Sequence, residues 1–194
     1  MLDKDLDDIQ EMINQHHIEL ENEQNELLEK IKSGNATAED YIEAASNMLF
    51  IHKSPDKQQL NEFLETGARL AQKNITSSSM AERASAFATL ATYHEIKKEY
   101  KEALKCFDEA IDAGGKEFIV LRARLRVKYF NDRKGAKKDY ELAAQAGLPD
   151  EELKLFDLIV NNEKTFNDKA LMWLKVILII AAIAALTAAE IYFN

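Results

Sequence analysis

Residues 100–114 read YKEALKCFDEAIDAG, and residues 133–147 read RKGAKKDYELAAQAG. The two segments begin 33 residues apart and carry alanine, an aromatic residue, alanine and glycine at the same offsets. The matched pairs are Ala103 and Ala136, Phe107 and Tyr140, Ala110 and Ala143, and Gly114 and Gly147. Spacings of three and four place the alanines and the aromatic on one helical face. The alanines would allow close approach of two helices, and the aromatics would lie between successive helix pairs.

A helix that would pair with the first segment lies just before it. Phe87, Leu90, Ala91 and His94 follow the i, i+3, i+4, i+7 spacing of one helical face. The stretch before the second segment, LRARLRVKY at 121–129, alternates with the period of a strand, so its structure stays open. An isolated strand would have no partner in so helical a chain.

A third, degenerate pair is predicted over residues 36–73. It consists of helices at 38–50 and 57–73, separated by a break that contains Pro55. We predict that Ser54 caps the second of these helices and that Pro55 lies in its first turn. Two prolines and six glycines in 194 residues also favour long helices.

This pattern resembles the tetratricopeptide repeat (TPR), and its second copy is also similar to the shorter Sel1-type repeats. The resemblance covers about 110 residues and rests on Phe87, Leu90, Ala91, Tyr100, Ala103, Phe107 and Ala110. It implies an all-α fold, a TPR-like α-solenoid of about three helix pairs, which offers its first helices to a groove. We place this repeat domain at 36–160, with an apolar helix at 150–160 covering the end of the stack.

Residues 1–32 form a predicted acidic helix. Residues 1–31 contain ten acids and two lysines, a net charge of −8. Leu6, Ile13, Leu20 and Leu27 form an apolar row at heptad spacing, while the second row degrades to His16, Glu23 and Lys30. The helix could pack on its own repeat domain, form a coiled coil with a partner or a second copy through residues 2–30, or remain a loose acidic arm.

The C-terminal residues carry the strongest apolar signal in the chain. Residues 171–193 read LMWLKVILIIAAIAALTAAEIYF, in which Lys175 and Glu190 are the only charges. A helix of 23 residues is about 34 Å long, against about 30 Å of hydrocarbon in a bilayer. We therefore predict a transmembrane tail anchor, joined to the repeats by a linker at 161–170. The alternative is an apolar helix buried in a helical domain or in a partner subunit.

The charges around the tail predict its orientation. Lys164, Lys169 and Lys175 lie on its N-terminal side, and no basic residue follows it. Because basic residues stay in the cytoplasm, we expect a single-pass protein with a cytoplasmic N-terminal domain. The membrane would be a bacterial inner membrane, or a mitochondrial outer or endoplasmic reticulum membrane in a eukaryote. The N-terminus lacks the pattern of a signal peptide, and the single cysteine, Cys106, suits a reducing compartment.

No pattern typical of a catalytic, cofactor or metal site is found. His16 and His17 are adjacent and point to different sides of a helix, and Gly114-Gly115-Lys116 lacks the context of a phosphate loop. We therefore expect no catalytic residues, no cofactor and no bound metal. The net charge of −9 offers no general attraction to nucleic acid.

One basic stretch interrupts this acidic chain and predicts a partner-binding strip. Eight arginines and lysines fall between 122 and 138, and the helix that contains the first of them also carries apolar side chains. The strip consists of Phe118, Leu121, Arg122, Leu125, Arg126, Lys128 and Tyr129. Apolar residues edged with arginine suit an acidic helix or peptide, and the chain's own acidic helix could be the first occupant. The other interpretations are an ordinary solvated helix face and a contact with anionic lipid headgroups.

Together these patterns predict a membrane-anchored adaptor or scaffold for protein–protein interaction. The arrangement is similar to that of the mitochondrial fission adaptor family, which joins a helical repeat bundle to a C-terminal anchor. That family ends in a short basic tail and lacks so long an acidic helix. The alternative is a small accessory subunit of a larger membrane complex. Ala181, Ala185 and Ala189 favour it, because a row of small residues permits close helix packing or oligomerisation in lipid.

Overall fold

A computed structural model describes residues 2–52, 54–149 and 153. In this part of the chain the fold is all-α, as predicted, with seven α-helices and no strand. The helices are α1 (Leu2–Lys32), α2 (Ala38–Ile51), α3 (Lys57–Asn74), α4 (Met80–Ile96), α5 (Tyr100–Asp112), α6 (Ile119–Phe130) and α7 (Arg133–Gln145). A short 3₁₀ helix at Lys116–Phe118 precedes α6. The predicted linker and tail anchor lie outside the described residues, and so does the predicted helix at 150–160 apart from residue 153.

Side-chain caps explain where several of the helices begin. The Thr37 hydroxyl accepts from Asp40 N, and the Asp40 carboxylate accepts from Thr37 N, forming a capping box at the start of α2. The Asp56 carboxylate accepts from two backbone N–H groups at the start of α3. The prediction that Ser54 caps this helix is therefore wrong. Aspartate and serine are comparable caps, and the structure uses the one two residues later, so Pro55 precedes the helix and the prediction that it lies in the first turn is wrong as well.

The helices form three successive pairs, α2 with α3, α4 with α5, and α6 with α7. Loops of only a few residues join the members of each pair, which favours antiparallel packing. Contacts between α3 and α4, and between α5 and α6, join each pair to the next. The LRARLRVKY stretch lies within α6, so the helical interpretation is correct. Pairing with α7 buries Ile119 and Ala123, which overrides the strand-like alternation.

The small and aromatic residues of the repeat lie in the core. Ala103, Phe107 and Ala110 have no exposed surface. Phe107 clusters with Ala91 of α4 and Leu125 of α6, so it lies between two successive pairs. Ala136 and Ala143 are equally buried in the next pair. These contacts confirm the structural roles that the repeat predicted for the first segment.

A glycine allows the closest contact between α2 and α3. A Cβ atom at Gly67 would lie 2.8 Å from Ile42 Cδ1 and 2.9 Å from the backbone oxygen of Ala38. Both distances are shorter than a normal carbon contact. Since one of the two opposing atoms belongs to the backbone, α2 and α3 could not keep this spacing with a larger residue at position 67.

The C-terminal half of α1 packs on α2. Leu27 is buried in a cluster with Ile42 and Leu64. Lys30 Nζ donates to Asp40 Oδ1 at 2.8 Å, and Asn47 Nδ2 donates to Glu23 Oε2 at 3.3 Å. This part of the helix therefore packs on its own repeat domain, against the first pair and away from the basic strip of α6.

None of the helices within 2–52 and 54–149 combines the length and the apolar character needed to span a bilayer. The predicted anchor at 171–193 lies outside these residues, as do Ala181, Ala185 and Ala189.

The repeat packing predicts the effect of enlarging Ala103. Ala103→Leu adds three carbons where the side chain has no exposed surface, so we expect the free energy of unfolding to fall by about 1–3 kcal/mol. Urea unfolding followed by circular dichroism would measure the loss. Ala144→Leu on the exposed face of α7 is the matched control and should change stability by less than about 0.5 kcal/mol. Equal stability of the two variants would contradict the packing.

Candidate partner-binding groove

The first helices of the three pairs border one groove. It has a volume of about 280 Å³ and is lined by residues of α2, α4 and the start of α6. Its lining residues are Glu39, Ile42, Glu43, Ser46, Asn47, Ser85, Ala88, Thr89, Thr92, Phe118 and Leu121. We refer to this surface as the groove.

Small side chains of α4 form the floor of the groove. The Thr89 hydroxyl donates to the backbone oxygen of Ser85 at 2.9 Å, and the Thr92 hydroxyl donates to that of Ala88 at 3.2 Å. These bonds turn both hydroxyls back to their own helix. The floor therefore offers shallow contact surface, and the stronger chemical features lie on the two walls.

One wall of the groove is apolar. Phe118 and Leu121 are half-buried, and their inner sides pack against the cluster around Phe107. Both belong to the predicted partner-binding strip. Their partial exposure leaves apolar surface available to a ligand.

The opposite wall is acidic. Glu39 and Glu43 lie one turn apart on the exposed face of α2. Partial burial of its carboxyl group raises the pKa of Glu43, and the nearby carboxylates of Glu23, Glu39 and Asp40 raise it further. Lys30 acts on Glu43 through its charge, but its ammonium group binds Asp40. The net charge of this wall is therefore negative.

The same face of α2 ends at an exposed aromatic. Glu39, Glu43, Ser46 and Phe50 follow spacings of four, three and four residues, which place them on one side of the helix. Phe50 is 74% exposed, more than the other large apolar side chains between residues 17 and 149. It extends the acidic wall beyond the groove with an apolar patch.

Two arginines of the predicted strip lie in an internal ionic cluster. Arg122 donates to Asp139 through Nη2 at 2.6 Å and Nε at 3.2 Å, and to Asp108 through Nη1 at 2.8 Å. Arg126 lies 3.2 Å from Asp139 and 3.3 Å from Asp132. Burial raises the pKa of the Asp139 carboxyl, and the two guanidinium groups oppose that rise. These arginines tie α6 to α5 and α7, so they do not edge the groove.

The remaining members of the strip are also engaged within the fold. Leu125 has no exposed surface and belongs to the core. Lys128 Nζ lies 3.7 Å from a Glu95 carboxylate oxygen and 4.7 Å from the centre of the Tyr129 ring. Tyr129 donates to Glu95 and stacks on Tyr100. These contacts join α6 to α4 and α5.

The structure thus brings Phe118 and Leu121 of the strip to the groove and places Arg122, Leu125 and Arg126 inside the fold. Sequence reasoning missed the acidic wall. The spacing of Glu39, Glu43, Ser46 and Phe50 was visible, but nothing in the sequence indicated that this face of α2 lines the same groove as α6.

Cys106 is half-buried between two clusters of the core. Burial raises the pKa of its thiol to about 11. The side chain therefore remains a neutral thiol near pH 7 and is a poor nucleophile there.

The chain was compared with protein-family models, curated proteins and solved structures, and none of them matches it.

Proposed function

We propose that this chain is a membrane-tethered adaptor whose TPR-like helical repeats hold a segment of another protein in the groove. The observation that carries the proposal is the groove itself. Helices from three successive pairs line it, and it combines a small-residue floor with one apolar and one acidic wall. A surface of this kind suits recognition of a peptide or helix by a few anchoring side chains. The mechanism is binding, without chemistry on the partner.

The tail at 171–193 would supply the second half of the function. A single apolar helix confines the repeat domain to a membrane surface, which raises its effective concentration for partners on the same membrane. The lysines on the N-terminal side of the tail favour a cytoplasmic position for the groove under the positive-inside rule. Support for this part comes from the length and charge pattern of the tail sequence.

Proximity labelling from the N-terminus in intact cells tests the adaptor function. Ser46→Arg should fill the groove, because its guanidinium group can reach Glu43 one turn earlier on α2. We expect the labelling of its strongest partners to fall by about tenfold or more, while the variant itself stays in the membrane fraction. Ser78→Arg in the exposed loop before α4 is the matched control and should keep them. Unchanged labelling by Ser46→Arg would contradict the use of the groove.

Removal of residues 171–194 tests the anchor in the same cells. The shortened chain should move to the soluble fraction and lose partners that the intact chain labels at the membrane. If the shortened chain remains in membranes after a high-salt and carbonate wash, the tail is not the anchor.

Blue-native electrophoresis of the intact chain distinguishes a free adaptor from an accessory subunit of a larger complex. A single large assembly that survives Ser46→Arg would favour the accessory subunit.

A further inference from the structure

We propose that the groove selects a basic amphipathic segment, with lysine or arginine facing α2 and an apolar side chain facing α6. The inference rests on the proposed binding function and reverses the charge of the partner that the sequence predicted. Its ligand class is a protein helix or peptide with cationic residues at one side and leucine-like residues at the other.

The first argument is the state of the acidic wall. Glu39 and Glu43 are four residues apart on α2, and like charges at that spacing destabilise a helix. The carboxylates of Glu23 and Asp40 also lie near Glu43. Lys30 Nζ lies 2.8 Å from Asp40 Oδ1 and neutralises that carboxylate, but this ion pair is part of the contact between α1 and α2. A cation placed between Glu39 and Glu43 would remove this repulsion and gain charge-assisted hydrogen bonds.

The second argument is the absence of a matching positive wall in the described groove. Arg122 and Arg126 are neutralised by Asp108, Asp132 and Asp139 at the back of α6. Arg124 and Lys128 share the carboxylate of Glu95 at 2.8 and 3.7 Å. None of the residues that line the groove is a lysine or arginine, so an acidic ligand would find no counter-charge there and would face Glu39 and Glu43. Charge complementarity therefore favours a basic ligand.

The third argument is the position of the apolar surface. Phe118 and Leu121 lie across the floor from the acidic wall, so the two walls present different chemistry to the two sides of a ligand. A helix with leucines on one face and lysines on the adjacent face satisfies both. Phe50 lies on the same face of α2, further along, where it offers a second apolar contact.

Direct binding to the intact chain in phosphatidylcholine nanodiscs tests the selection. Three fluorescent peptides of equal length carry leucine at helical spacing and lysine, serine or glutamate at the positions between. Fluorescence anisotropy, with empty nanodiscs as the blank, measures each affinity. We expect the lysine peptide to bind at least about tenfold more tightly than the serine peptide, and the glutamate peptide to bind most weakly.

Charge variants show whether the groove causes this order. The double variant Glu39→Lys with Glu43→Lys should weaken binding of the lysine peptide by about tenfold or more. Glu62→Lys with Glu109→Lys changes the net charge equally on exposed positions of α3 and α5, and it should weaken the peptide by about twofold at most. Glu39→Gln with Glu43→Gln alters shape very little and should act in the same direction as the lysine pair.

The outcomes separate this inference from the proposed function. Equal effects of the two lysine pairs would mean attraction by overall charge and would overturn the inference. Binding of the glutamate peptide more tightly than the lysine peptide would also overturn the inference. The same holds if a peptide with the sequence of residues 154–170 binds more tightly than the lysine peptide, or if the chain forms a dimer that Ser46→Arg dissociates, because this chain would then be its own ligand. If Leu121→Ser still weakens whichever peptide binds, the groove remains a binding site and only its charge selection is wrong. If it weakens none, the proposed function fails as well.

Discussion

Replacing Asp139 with alanine will lower the free energy of unfolding by about 3–5 kcal/mol. The Asp139 side chain is 4% exposed and accepts two hydrogen bonds from Arg122, whose side chain is 11% exposed. Its removal leaves a guanidinium group with little access to water and only Asp108 as a counter-charge. At about 2–4 °C per kcal/mol, the melting temperature should fall by roughly 6–20 °C. Urea and thermal unfolding of the intact chain would measure both quantities.

An exposed ion pair provides the control for this prediction. Lys32 and Glu29 lie 2.8 Å apart with side chains 69% and 74% exposed. Glu29→Ala should therefore cost less than about 0.5 kcal/mol. The combined variant Arg122→Met with Asp139→Leu should lose less stability than the two single changes summed, because neither partner is then left as an isolated charge. Additive losses would show that the pair is not coupled.

The helix pairs could be predicted because their signal is local. The spacing of Ala103, Phe107 and Ala110 identifies a helical face, and the 33-residue offset identifies its copy. Helix starts were less certain, since Ser54 and Asp56 are both good caps and only the backbone geometry decides between them. The 121–129 stretch needed its packing partner, α7, before its strand-like alternation could be rejected.

The character of the groove could not be predicted because it depends on contacts between distant segments. A run of arginines in α6 predicts a basic surface only if no acids oppose it. Asp108 on α5 and Asp139 on α7 oppose it, and their positions relative to Arg122 follow from the way three helices pack. The acidic wall on α2 likewise becomes part of a site only when α4 and α6 are placed beside it.

Replacing Phe107 with alanine will destabilise the protein by about 3–5 kcal/mol, a loss similar to that of Asp139→Ala but with a different cause. Phe107 has no exposed surface and contacts Ala91, Ala103 and Leu125, which belong to three different helices. Truncation removes apolar surface from the core and leaves a cavity that α4, α5 and α6 cannot close without shifting together. A domain of this size has a total stability of about 5–15 kcal/mol, so the variant should be near its limit of folding.

Two further changes test whether the position of Phe107 between successive pairs causes the loss. Phe107→Leu keeps most of the apolar volume and should cost less than about 1.5 kcal/mol. Tyr140 occupies the equivalent position 33 residues later but is only half-buried, so Tyr140→Ala should cost less than half as much as Phe107→Ala. Urea unfolding of all three variants gives the comparison. If Tyr140→Ala costs as much as Phe107→Ala, burial between two pairs is not what makes this aromatic the larger contributor. If Phe107→Ala unfolds at the same urea concentration as the parent chain, Phe107 does not hold α4, α5 and α6 together.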